Sequence, residues 1–234
     1  MMVIGFGVGI WRATRISKKR GIEPERVYDI ALVILLSSIV GARLIYILLN
    51  PDTESFRNFF AVWQGGLSFH GGALFAIIFG YAYTKFAKLP FWKCADLIVP
   101  SVAIGYAFTR IGCFLNGCCY GAPTDLPWGV RFLEQGMLTP PSHPTQIYAA
   151  FASLLIFFIL TRFERLNRAP GFIFISYLGL YSIYRFLIEY LRAGFSAEMW
   201  MFGLTQAQGV SIAIFALWVA VVFIFYRKPV SKIS

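Results

Sequence analysis

The chain has little charge. Asp, Glu, Lys and Arg together make up 14% of its 234 residues, where an ordinary soluble domain carries roughly 25%. With a mean hydropathy of +0.67, that leaves no room for a separate water-soluble domain. Histidine occurs only twice, and cysteine four times, as Cys94, Cys113, Cys118 and Cys119. Three of the four cysteines crowd into seven residues, which argues against a disulfide framework of the secreted kind. No histidine lies close to them in sequence, and the pattern C-x4-C-C lacks the C-x2-C spacing of zinc sites, so a metal is only weakly supported. The amino-terminal stretch does not read as a secretory signal either, because its basic run, Arg12 to Arg26, follows the apolar residues instead of preceding them.

What is abundant is apolar: 58% of the residues are hydrophobic. At about 30 to 35 residues per span and loop, the chain has room for six or seven transmembrane helices in one all-α domain, residues 1–234. Continuous apolar runs predict spans over residues 27–49, 67–84, 95–115, 144–161, 171–191 and 204–226. Residues 1–11 are apolar over about half the length needed to cross a ~30 Å core, and read as the inner half of a first, shortened span. Gly5-x-Gly7-x-Gly9 within it is the small-residue pattern of close helix packing.

Basic residues fall on alternate connections. Residues 12–26 carry six, 85–93 three, 162–168 three and 227–232 three, which is 15 of the 21 Lys and Arg. That asymmetry makes this side cytoplasmic and sends the amino terminus and the loops near 50–66, 116–143 and 192–203 outwards. The net charge of +10 is then a matter of topology and contact with anionic membrane lipids rather than of nucleic acid.

Six basic residues remain, all arginine. Arg57 and Arg131 fall in outer loops, where solvation suffices. Arg43, Arg110, Arg185 and Arg192 fall within spans or at their ends, on the side where the positive-inside bias does not place them. An ionisable residue at such a depth is a functional-site hypothesis by default. Arg185, Glu189 and Arg192 have helical i, i+4, i+7 spacing; they read either as an internal ion pair or as a carboxylate holding an arginine fork for an anion. His70 lies in Gly65-Gly-Leu-Ser-Phe-His70-Gly-Gly72. It reads either as a hydrogen-bonded core residue or as a general base, the glycine pairs permitting close backbone approach where a ligand enters. His143-Pro-Thr-Gln146-x-Tyr148 opens a span, with Pro144 suited to a first helical turn and Tyr148 to an interfacial belt. His143 and Gln146 are candidates to line a site, and the Pro- and Gly-rich stretch 122–141 with Trp128 reads as an interfacial segment or lid. An outer-facing cavity with Arg110 and Arg185, one histidine and no serine–histidine–acid set suits a phosphate-bearing lipid and nucleophilic displacement on it.

Five stretches carry a resemblance: Val40-Gly-Ala-Arg43-Leu-x-Tyr46, Trp63-Gln-Gly-Gly-Leu-Ser-Phe-His70-Gly-Gly, Arg110-Ile-Gly-Cys-Phe-Leu-Asn116-Gly-x-x-Tyr-Gly121, His143-Pro-Thr-Gln-x-Tyr148 and Tyr184-Arg-Phe-x-x-Glu189-Tyr-x-Arg192. In this order they resemble the bacterial prolipoprotein diacylglyceryl transferases over essentially the whole chain. The resemblance implies seven transmembrane helices, an outer amino terminus and a cytoplasmic carboxyl terminus in the bacterial cytoplasmic (inner) membrane. It implies transfer of the diacylglyceryl group of phosphatidylglycerol to the lipobox cysteine of a prolipoprotein signal peptide, releasing glycerol 1-phosphate at a site towards the outer leaflet. Arg110 and Arg185 match the arginines that bind the lipid phosphate, and His70 the histidine proposed to take the thiol proton. Gly121, Glu189 and Arg192 match further functional positions; Asn116 reads as a supporting hydrogen-bonder. No metal or cofactor is implied. The family commonly has asparagine where this chain has Cys113 and an acidic residue where it has Cys118. It also carries a tyrosine near the outer end of its first span, which this chain lacks. These departures leave open a relative that binds or transports lipid without chemistry, a transferase to another thiol acceptor, and a metal or redox site on Cys113, Cys118 and Cys119.

Overall fold

The computed structural model describes residues 1–50, 59–60, 65–134, 136–166, 168–192, 199–201 and 203–225. Arg57, the first residues of the Trp63 motif, part of the 192–203 loop and the basic tail lie outside them. Seven α-helices are described: α1 Met2–Ser17, α2 Pro24–Leu49, α3 Phe69–Phe86, α4 Phe91–Leu115, α5 Thr145–Phe163, α6 Phe172–Glu189 and α7 Gln206–Phe225. A 3-10 turn, Lys18–Arg20, follows α1, and two short hairpins interrupt the loops: β1 Leu133–Glu134 with β2 Met137–Leu138, and β3 Met199–Met201 with β4 Leu204–Thr205.

Five helices, α2, α4, α5, α6 and α7, are long and apolar enough to cross a membrane. Leu32, Leu36, Phe151, Phe158, Leu217 and Phe223 on them are exposed, the reverse of a soluble protein, and hydrocarbon is the solvent that such faces require. The chain is a multi-pass membrane protein. Helix α1 has 16 residues and α3 has 18.

The chain divides into two compact units, residues 13–94 and residues 1–12 with 95–234. In the smaller, α2 packs on α3 through glycine: a Cβ on Gly41 would meet the ring of Phe75 and the Gly71 carbonyl, and one on Gly72 would lie 3.2 Å from the Ser38 carbonyl. Gly71 and Gly72 thus let α3 approach α2 closely. Gly65 and Gly66, at φ +88° and +68°, supply the bend.

In the larger unit, Gly5 and Gly9 of α1 lie against α4, where a Cβ would stand 2.8 Å from Phe108 Cβ and 3.2 Å from the Ser101 carbonyl; Gly7 faces open space. Val99, Ala103, Ile156, Leu160, Phe172 and Ile173 of α4, α5 and α6 form a core cluster. Ser153 Oγ donates to the Ala103 carbonyl at 2.9 Å inside it. Asp96 on α4 is buried and accepts from the backbone N–H groups of Gly171 and Phe174, at 2.7 and 2.8 Å, capping the start of α6 from outside that helix.

Arg12 corrects the charge pattern read from sequence. It is not a loop cation; it lies in the last turns of α1, 8% exposed, and its Nη2 donates to Glu164 Oε2 at 2.7 Å beside the Phe157 ring. Glu164 lies 152 residues away in sequence, so no local spacing announces the pair.

Candidate functional site

The carboxyl-terminal thirds of α4 and α6 bring two arginines to one aromatic cluster. Arg110 Cζ lies 4.8 Å from the ring of Tyr106, four residues earlier on α4. Tyr106 meets Tyr181 edge-on at 6.0 Å, and Tyr181 packs against Tyr177 at 5.8 Å and Tyr184 at 5.7 Å. Tyr181 interacts electrostatically with both Arg185 and Arg110. Each arginine follows a tyrosine by four residues, Tyr106 before Arg110 and Tyr181 before Arg185, a spacing that places ring and guanidinium on one helix face. That was the legible sign of these tyrosines, which sequence reasoning passed over.

Arg110 Nε is buried and has no hydrogen-bond partner. A buried, unused N–H of a charged group is costly, and an anionic oxygen satisfies it. The second arginine is held differently. Glu189 is fully buried, forms a short ion pair with Arg185 Nη1, and accepts from Thr205 Oγ1 at 3.2 Å. Its Oε2 also lies 4.0 Å from Arg192 Nε. One carboxylate thereby fixes two guanidinium groups that keep 23% and 27% of their side chains exposed.

Arg192 reaches that carboxylate from beyond the helix. The expected span ran to residue 191, but α6 ends at Glu189 with Tyr190 as its cap, so the i+7 helical face does not exist there. Instead Arg192 forms a backbone bridge to Gly121. Gly121 donates to the His143 carbonyl at 2.9 Å, and Ala122 to the Leu191 carbonyl at 2.9 Å. A Cβ on Gly121 would run into the Leu191 carbonyl and approach Thr145 Cγ2 to 2.6 Å. Three segments cross at this residue, and only glycine lets them.

The start of α5 anchors the turn after α4. Thr145 Oγ1 donates to the Cys119 carbonyl at 3.0 Å and Gln146 Nε2 to the Cys118 carbonyl at 2.8 Å. Gln146 is 0% exposed and its side-chain N–H shapes this turn, while its Oε1 is buried without a hydrogen-bond partner. Asn116 is exposed at the foot of α4. Tyr148 is not a simple interfacial belt residue: its hydroxyl accepts from Trp128 Nε1 at 2.8 Å and lies 3.5 Å from His143 Nδ1. Pro144 sits one position before the first helical turn, as the N-cap of α5. The chain after Gly121 folds back through bridges from Pro123 and Val130 to Ser142, and Leu133, Met137 and Leu138 of β1 and β2 are exposed. Between α5 and α6 a groove of about 390 Å³ runs along Leu155, Ile159, Leu180 and Leu187, with Tyr148 and Tyr184 also on its wall.

Arg43 and His70 belong to the smaller unit. Arg43 is 1% exposed, and its Nη1 donates to the carbonyls of Gly65 and Gly66, each at 3.1 Å. It clamps the bend leading to Ser68, whose hydroxyl accepts from Gly71 N–H at 3.4 Å and caps α3. His70 is exposed in the first turn of that helix.

The sequence profile of prolipoprotein diacylglyceryl transferase matches residues 1–224. The chain belongs to this family. It is 35% identical over 248 residues to the phosphatidylglycerol–prolipoprotein diacylglyceryl transferase of Geobacillus kaustophilus, covering 99% of this chain and 89% of that one. It is 36% identical over 216 residues to the Vibrio vulnificus enzyme of the same name, covering 87% and 76%. With that of Geobacter sulfurreducens it shares 35% over 198 residues, covering 82% and 75%. Cys113, Cys118 and Cys119 end the α4 arm that carries Arg110. Cys119, at φ +69°, is an exposed non-glycine residue in the left-handed region. Its thiol is pushed up to about 11, first by partial desolvation against neighbouring protein and then by its hydrogen bond with Cys118.

Proposed function

We propose that the chain transfers the diacylglyceryl group of phosphatidylglycerol to the lipobox cysteine of a prolipoprotein signal peptide, forming a thioether and releasing glycerol 1-phosphate. The observation that carries the reading is the paired-arginine site, with Arg110 Nε buried and unpartnered and Arg185 held by a fully buried carboxylate. Arginine binds phosphate oxygens in pairs and stays charged. As the glycerol carbon–oxygen bond breaks, negative charge grows on the departing phosphate, and preset guanidinium groups stabilise that change more than they stabilise the bound lipid. The apolar groove between α5 and α6 offers hydrocarbon-compatible walls for an acyl chain. His70 is the candidate to take the thiol proton. The protein acts in the bacterial cytoplasmic membrane with seven spans, its amino terminus and active site towards the outer leaflet; the distribution of Lys and Arg supports that orientation.

The test uses purified protein, phosphatidylglycerol micelles and a lipobox peptide, with the peptide's mass as readout. The wild type adds one diacylglyceryl group. Arg110→Ala and Arg185→Ala each lower turnover by about 100- to 1,000-fold, the scale for losing one preset transition-state contact. His70→Ala removes turnover and leaves phosphatidylglycerol affinity unchanged. A wild type that binds the lipid and modifies no thiol peptide is a lipid-binding or lipid-transport relative, and the transferase reading fails; modification of a different thiol keeps the chemistry and changes the acceptor.

A further inference from the structure

Cys113 lies in the last turn of α4, and Cys118 and Cys119 in the turn that follows. Their sulfur atoms all lie within 4.8 Å of one another, the one such group of three potential metal ligands among the described residues. Sequence spacing hides the convergence. Gly117 at φ +69° reverses the chain, the Cys118 N–H returns to the Cys113 carbonyl at 3.1 Å, and Cys119, also at +69°, turns its thiol back to 3.3 Å from Cys118 Sγ. The bonds from Thr145 and Gln146 to the carbonyls of Cys119 and Cys118 hold this turn from the side of α5. A left-handed non-glycine residue costs roughly 1–3 kcal/mol and persists where the surroundings over-determine it.

We propose that Cys113, Cys118 and Cys119 bind one zinc(II) ion as thiolates and leave its fourth position open for an external thiol, the acceptor of the transfer reaction. Zinc bonds thiolate sulfur at about 2.3 Å, so tetrahedral sulfur neighbours stand about 3.8 Å apart, a spacing these three reach by small side-chain rotations. An all-sulfur set selects a soft ion, and three protein ligands with one open position is the pattern of catalytic zinc. The opening is available because Cys119 is exposed while Cys113 and Cys118 are half-buried. Binding releases three thiol protons to solvent and leaves a net charge of −1 on the ion and its three thiolates. Arg110, one turn before Cys113, acts electrostatically on both Cys113 and Cys119 and offsets that charge.

The part concerning the acceptor rests on the transferase reading. A free thiol has a pKa of about 8.5 and is mostly protonated at neutral pH, whereas a zinc-bound one is deprotonated outright. The acceptor thiol replaces water on the ion and gives its proton to solvent or to a base. Its sulfur then forms the bond to the glycerol carbon as the carbon–oxygen bond to phosphate breaks and glycerol phosphate leaves with the electron pair. The neutral thioether is a poor ligand and gives way to water.

Full-length protein is purified in detergent, equilibrated with zinc, dialysed and assayed for metal. One zinc per chain is expected, lost in Cys113→Ser and in the Cys118→Ser/Cys119→Ser pair and retained in Cys94→Ser. In the wild type, needing no variant, zinc shields all three cysteines from iodoacetamide. Removing zinc lowers lipidation of the peptide and re-addition restores it, with phosphatidylglycerol binding constant throughout. No cysteine-dependent zinc, or isolation of a Cys118–Cys119 disulfide that zinc with reductant does not convert, overturns the site. Zinc bound at one per chain with equal turnover when stripped overturns the acceptor role alone. A zinc-loaded protein without turnover on any thiol sinks the transferase reading and leaves the metal assay to decide the site.

Discussion

Replacing Glu189 by glutamine keeps the shape of the side chain and its ability to accept from Thr205, and removes the charge. Two guanidinium groups then lose their shared counter-charge, Arg185 in direct contact and Arg192 at 4.0 Å. Breaking a fully buried pair costs about 3–5 kcal/mol, but Arg185 keeps 23% of its side chain exposed and recovers part of its solvation. A loss of about 1.5–3 kcal/mol, the range for a hydrogen bond to a charged group, is therefore expected. For a chain of this size that corresponds to a fall in Tm of about 3–12 °C. The assay is thermal unfolding in detergent by tryptophan fluorescence, run as a cycle with Arg185→Gln. The double variant should lose clearly less than the sum of the two single losses, because either change alone removes the same contact. A Glu189→Gln protein that unfolds within 1 °C of the parent (roughly 0.5 kcal/mol or less), with strict additivity in the cycle, refutes the view that this carboxylate holds the arginines.

Gly121→Ala should destabilise by about 1–3 kcal/mol through overpacking, seen as lower Tm and yield, because its new methyl meets the Leu191 carbonyl and Thr145. Asp96→Asn keeps one of two acceptors for the start of α6; a loss of about 1–3 kcal/mol is expected in the same unfolding assay. In zinc-free protein the raised pKa of Cys119 keeps its thiol protonated at neutral pH, since a raised thiol pKa favours the uncharged form. Its alkylation, followed by peptide mass spectrometry, should rise about tenfold per pH unit from pH 7 until it levels near 11; levelling near pH 8.5 contradicts the assignment.

Whatever repeats along one helix could be read from the residues alone. Apolar runs located the helices to within a few residues, Gly5 and Gly9 foretold a close crossing, and the i, i+4 spacing of Arg185 and Glu189 became a real ion pair. Contacts made across loops left no such trace. Arg12 finds Glu164, Asp96 finds the start of α6, Gln146 finds the Cys118 carbonyl, and Arg43 finds Gly65 and Gly66. Each joins a periodic element to a backbone group or to a side chain on another element, and neither hydrophobic period nor motif spacing encodes which partner that is. The end of α6 falls two residues short of the apolar run for a related reason: the run continues to Leu191, but Tyr190 caps the helix and the chain turns to bridge Gly121.

The Asp96 cap and the Gly121 crossing anchor α6 at both ends. Both Asp96 carboxylate oxygens grip backbone N–H groups at the start of the helix, so α6 cannot slide along α4 without giving up both bonds. Just past its other end, Ala122 donates to the Leu191 carbonyl and Arg192 bridges Gly121. Arg185 lies about 20 Å along the helix from Phe172 at 1.5 Å per residue, between these two anchors. The placing of its guanidinium is therefore owed to groups outside its own helix at either end, and loosening either anchor displaces it.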